Sequence, residues 1–165
     1  MGKLTKAAVL ALAVSLAPAA PVMASPLQDA AAAYKRGDYA TALLLLRPLA
    51  DQRDTLAEGL LGLMYKNGEG VRQDDVQAAS WYRKAADQGD DLAQTSLGKM
   101  YEYGQGVPQD YVQAHKWYNL AAARFPPSEA IERKIAVSAR DLIAAKMTPA
   151  QVAEAQRLAR EWKPK

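Results

Sequence analysis

Cysteine is absent from all 165 residues, and phenylalanine and histidine occur once each. Without cysteine there can be no disulfide framework and no thiolate metal site, and no lipidated N-terminal cysteine can tether the chain to a membrane. One histidine leaves any metal site dependent on carboxylates gathered around a single imidazole, so no metal and no cofactor is expected. A strong charge of one sign is also missing. Lys3 and Lys6 are the only charged groups before residue 25, and without them 19 basic groups face 18 acidic ones. The isoelectric point of about 9.1 for the whole chain therefore says little about partners, and no general electrostatic pull toward nucleic acid is expected. The small excess is uneven: residues 25–123 carry 10 basic and 13 acidic groups, residues 124–165 carry 9 and 5. This fits a solvated amphipathic pair of C-terminal helices better than a basic docking face.

The N-terminus has the plan of a secretory signal peptide. Lys3 and Lys6 precede an apolar run from Ala7 to Ala17 broken only by Ser15, Pro18 and Pro21 interrupt it, and Val22-Met23-Ala24 supplies small residues at −3 and −1. Cleavage is expected after Ala24. The run is well short of the roughly 20 residues that span a bilayer, so no transmembrane segment is expected after cleavage. The product is expected to be periplasmic or secreted, and monomeric.

What is present in abundance is internal repetition. Residues Asp54–Gly89 laid over Asp90–Phe125 give a period of 36 with no gap and identity at 19 of 36 positions. Each unit reads as two helices joined by a glycine loop. Leu56, Ala57, Leu61, Met64 and Tyr65 fall at helical spacing, as do Ala78, Trp81, Tyr82, Ala85 and Ala86. Gly68 and Gly104 stand where a helix ends in a left-handed residue. Asp74-x-x-Gln77 and Asp110-x-x-Gln113 open the second helices as near relatives of the capping box. Gly62 and Gly98, costly inside a helix, imply a close helix crossing. Trp81 and Trp117 are expected to pack against one another between successive hairpins, each costing about 3–5 kcal/mol when cut back to Ala.

The string Leu-Gly-x-Met-Tyr-x-x-Gly-x-Gly-Val followed by Asp-x-x-x-Ala-x-x-Trp-Tyr-x-x-Ala-Ala, present at Leu61–Ala86 and Leu97–Ala122, resembles the Sel1-like repeat, a relative of the TPR. The resemblance implies an all-α fold, a right-handed α-solenoid of antiparallel helix pairs with helical caps, that displays a surface for protein partners. It also implies no enzyme. Some cysteine-rich secreted relatives are described as penicillin-binding or β-lactamase-like, and this chain has none of the cysteines of that branch. The expected organisation is a signal peptide at 1–24, a TPR-like N-terminal capping unit at 25–53, repeats at 54–89 and 90–125, and C-terminal capping helices at 126–165. Within the last segment, Ser128 is expected to cap a helix running to about Lys146, with Ile131, Ile135, Leu142 and Ile143 along one stripe. Thr148-Pro149-Ala150-Gln151 is expected to open a final helix reaching about Trp162.

Apparent catalytic features have structural explanations. The pairs Asp74-Asp75 and Asp90-Asp91 sit at helix starts, and adjacent helical residues do not face each other. Gly68-x-Gly70 and Gly104-x-Gly106 follow no strand and precede no Gly-Lys-Ser/Thr, as a phosphate loop would. His115 has Ala79 as its counterpart one unit earlier and no nucleophile beside it, so a structural role is expected.

Positions that differ between units are released from scaffold duty. On the first helix of each unit Glu58, Lys66, Gln94, Lys99, Glu102 and Tyr103 are therefore the candidate protein-binding residues of a concave face. The function expected is a periplasmic adaptor or regulator that binds a protein, such as a membrane sensor or an envelope assembly. The alternatives are a β-lactamase-like or cell-wall peptide hydrolase and a structural module of an envelope complex.

Overall fold

A computed structural model describes residues 25–165; the signal-peptide reading falls on residues 1–24 and lies outside the described residues. Among the described residues eight α-helices follow one another: α1 Pro26–Lys35, α2 Tyr39–Asp51, α3 Thr55–Asn67, α4 Asp75–Gln88, α5 Asp91–Tyr103, α6 Tyr111–Arg124, α7 Ala130–Ala144 and α8 Pro149–Glu161. Among the described residues there is no strand, and no helix is long and apolar enough to cross a membrane.

Helix starts are written in the sequence. Asp54, Asp74, Asp90 and Asp110 each accept a backbone N–H of the turn they open, satisfying donors that would otherwise be orphaned. Complete capping boxes occur at Ser25/Gln28 and Thr148/Gln151. Ser128 does not cap α7. Pro126 and Pro127 start a single 3₁₀ turn at Pro127–Glu129, which contains Ser128, and α7 begins only at Ala130 without a side-chain cap. Gly68 and Gly104 end α3 and α5 in the left-handed region, φ 72° and 66°, as expected.

From α1 to α7 each helix packs on its neighbour in sequence, which makes an α-solenoid of antiparallel hairpins. Two close approaches set its spacing. Within each hairpin a Cβ at Gly62 would fall 2.7 Å from the Tyr82 ring, and one at Gly98 would fall 2.9 Å from Tyr118. The tyrosine ring thus lies directly against the glycine of the facing helix. Between hairpins, Gly70 backs onto Tyr39 and Leu43 of α2, and Gly106 backs onto Asp75 and Val76 of α4.

The two tryptophans do not behave alike. Trp117 is fully buried, with the Trp162 ring edge-on at 6.4 Å. Trp81 is only half-buried, packs in the cluster of α1, α2 and α3, and is covered by the Lys84 ammonium at 3.7 Å. The indoles therefore do not meet. Trp81 belongs to the cluster of α1, α2 and α3, whereas Trp117 lies in the one built from α4, α5, α6 and α8 and finds its partner in the C-terminal segment.

The C-terminal cap breaks the pattern of successive hairpins. α8 packs on α6, as α7 does, instead of completing a hairpin with α7. Only Ala136 and Ile143 of α7 are buried; Ile131, Ile135 and Leu142 of the predicted stripe face outward. After α8 the chain continues along the second helices. Lys165 Nζ lies 2.9 Å from Asp87 Oδ2, and the Lys165 backbone N–H donates to the Asp87 carbonyl.

Candidate functional site

The first helices of three successive hairpins, α1, α3 and α5, line an open groove of about 300 Å³. Its walls are Leu27 and Ala31 from α1, Leu56, Leu60 and Leu63 from α3, and Leu92 and Ser96 from α5. Residues 56, 60 and 63, and 92 and 96, recur at helical spacing, so each helix presents one stripe. Leu56 and Leu92 are each 57% exposed. Gly59 leaves the floor open, for a Cβ there would meet nothing within 4 Å. Asp90 borders the groove, with Asp91 beside it in sequence, and desolvation pushes both carboxyls above their ordinary range.

Of the residues singled out from the sequence, Lys99 and Tyr103 are exposed and continue the Leu92–Ser96 stripe along α5. Glu58 and Gln94 are not surface residues. Gln94 is fully buried and donates through Nε2 to the Ala86 carbonyl at 3.1 Å. Glu58 is 2% exposed, accepts from Gln88 Nε2 at 2.7 Å, and has its carboxyl pushed up by burial. Both fasten a first helix to a second one, which explains why polar residues occupy that position in each unit. Lys66 and Glu102 hold the framework too. Lys66 Nζ reaches Asp75 Oδ1 at 3.0 Å and Gln105 Oε1 at 2.9 Å, tying α3 to α4 and to the next loop. Glu102 accepts the Tyr118 hydroxyl at 2.8 Å; burial and this bond together raise that phenol.

Sequence reasoning misses the groove leucines for a definite reason. Leu56 and Leu92 are identical between units, and identity reads as scaffold duty. The signal available is an apolar residue one helical step outside the buried set Ala57, Leu61 and Met64.

His115 is buried as expected of a structural residue. Desolvation and the nearby Arg140 guanidinium hold its pKa below the ordinary value. It sits with Asn119, Arg140 and Asp141 in a polar crevice between α6, α7 and α8. Among the described residues no three His, Asp or Glu side chains converge as metal ligands would.

The stacked hairpins, with a groove lined by their first helices, define an α-solenoid repeat protein. The sequence matches the Sel1 repeat at residues 55–90 and 91–124, the two units that carry the 36-residue period. The chain thus carries two Sel1 repeats. Among solved structures it is similar to c5321, a protective antigen present in uropathogenic Escherichia coli strains displaying an SLR fold. That similarity has a TM-score of 0.75 and 31% identity, covering 83% of this chain and 29% of that one. A Sel1 repeat protein from Oxalobacter formigenes is also similar, with a TM-score of 0.59 and 27% identity over 82% of this chain and 61% of that one. The chain thus spans less than two thirds of either structure. No curated protein matches the sequence. Sel1 repeats are typically non-catalytic scaffolds for protein–protein interaction.

Proposed function

We propose that this chain is an exported scaffold, periplasmic in a Gram-negative cell, that binds a protein partner as an adaptor or regulator and catalyses no reaction of its own. The observation that carries the reading is the leucine-lined groove across three hairpins. Exposed leucines at equivalent positions of successive repeats, beside an open glycine floor, suit an apolar face of a partner helix better than a polar small molecule. The acidic Asp90–Asp91 end and Lys99 further along α5 favour a partner helix with a basic residue at one end of its apolar face and an acidic one toward the other. A membrane sensor or an envelope assembly is the kind of partner that an exported scaffold of this size would hold. The N-terminal sequence, with its basic start, apolar run and small residues before Ser25, supports export.

The test is a cross-linked partner recovered from the periplasm with the native protein and with the Leu56→Glu/Leu92→Glu variant. Both leucines are largely exposed, so the variant keeps its helical circular dichroism while recovery of the partner drops at least tenfold. Equal recovery with the variant contradicts the groove, and retention of the protein in the cytoplasm contradicts export.

A further inference from the structure

The outward face of α7 is a second apolar surface. Ile131, Ile135 and Leu142 are 72%, 56% and 67% exposed, and with Ser138 they form a stripe spaced by four, three and four residues. That is the spacing of a seam between two paired helices. Among the described residues nothing closes it, because α8 is committed to α6.

We propose that this stripe pairs with the same stripe of a second copy of the chain, the two α7 helices running antiparallel about a two-fold axis between Ile135 and Ser138. The spacing of the stripe reads the same from both ends in this register. Ile131 faces Leu142 of the second copy, giving two apolar pairs at the ends of the seam, and Ile135 faces its Ser138 on either side of the axis. The flanking charges agree. Lys134 and Asp141 are seven residues apart, hence on one flank of the stripe, and both are exposed. The two-fold axis brings Lys134 of each copy to Asp141 of the other, giving two equivalent ion pairs. The opposite flank sets Glu132 against Ala139, with no like charges opposed. Among the described residues no carboxylate pairs with Lys134, whereas Asp141 is held only by its half-buried neighbour Arg140 at 2.8 Å. One helix per copy makes a contact of the small, transient class, below about 1,200 Å² in total. Association therefore belongs at tens to hundreds of micromolar, and this revises the monomer expected from sequence.

Sedimentation velocity on the purified protein from about 5 to 500 µM tests the proposal. The native protein is expected to shift from monomer to dimer and no further, and Ile135→Lys to weaken the shift at least tenfold. Lys134→Asp and Asp141→Lys should each weaken self-association several-fold, since each sets like charges opposite one another. A mixture of these two variants should regain near-native association. In the mixed dimer the two substituted side chains face each other with opposite charge, and the native Lys134 and Asp141 form the second pair. All these positions are exposed, so circular dichroism stays unchanged. A native protein that stays monomeric throughout, or one that grows into larger oligomers, overturns the proposal. So does a mixture no stronger than either variant alone.

Discussion

Gly106 lies directly on the backbone of Asp75: a Cβ at residue 106 would overlap the Asp75 carbonyl oxygen and fall 2.7 Å from the Val76 amide nitrogen. The loop of one hairpin thus rests on the first turn of the preceding hairpin's second helix, with no room for a side chain. Gly106 also has φ of 67°. Gly106→Ala therefore combines a left-handed penalty of about 1 kcal/mol with a backbone clash that cannot relax locally. It should lose about 3 kcal/mol or more in urea unfolding. Gly104→Ala shares the positive φ, but its nearest neighbour is the Gln109 Cβ at 3.3 Å; it should lose only about 1 kcal/mol.

The two glycines inside α3 should respond with opposite signs. Gly62→Ala drives a methyl into the Tyr82 ring and should destabilise by about 1–3 kcal/mol. Gly59→Ala meets open space and gains helix propensity, so it should stabilise by about 0.5–1 kcal/mol. Gly59→Leu would keep a folded chain while filling the groove floor, and partner binding should fall with it. Paired denaturation curves of the two alanine variants check the signs.

The tryptophans separate in the same assay. Trp117→Ala empties a buried site against Trp162 and should cost about 3–5 kcal/mol. Trp81→Ala removes a half-buried ring under an ammonium and should cost about half as much or less, the cation–π contact contributing about 0.5–1 kcal/mol. Equal losses would mean that the hairpins share one indole core after all.

His115 predicts a pH dependence with a definite sign. Its folded pKa lies below the unfolded value of about 6.5, so the unfolded chain takes up the proton first. The native advantage of a neutral imidazole is complete above pH 6.5 and declines as pH falls through that value. The native protein should therefore lose stability relative to His115→Gln between pH 7 and pH 5. Urea midpoints for the two proteins across that window measure it; a constant difference contradicts the assignment.

Much of this architecture is legible in residues alone, because the repeat exposes it twice. Asp74 and Asp110 as caps, Gly68 and Gly104 as helix ends, and Gly62 and Gly98 as crossing points all follow from local chemistry that neighbours do not overrule. The misreadings share one origin. Glu58 and Gln94 look like free surface in sequence, yet their partners, Gln88 and the Ala86 carbonyl, come from other helices. The stripe on α7 is legible as a stripe but not as exposed, since that depends on α8 choosing α6. Trp81 and Trp117 occupy equivalent repeat positions and differ in burial because Trp162 reaches only the second. Long-range packing decides each case, and a repeat pattern carries little information about the elements that end the array.

The claim that the groove is where a protein binds is tested most directly by site-specific photo-cross-linking in cells. The cross-linker is placed at Leu60, on the groove wall, and separately at Arg47, which is exposed on α2, a second helix away from the groove. One discrete adduct from position 60 that vanishes in the Leu56→Glu/Leu92→Glu background, with none from position 47, is the predicted result. The same adduct from both positions, or one from position 47 alone, would place the partner elsewhere on the solenoid.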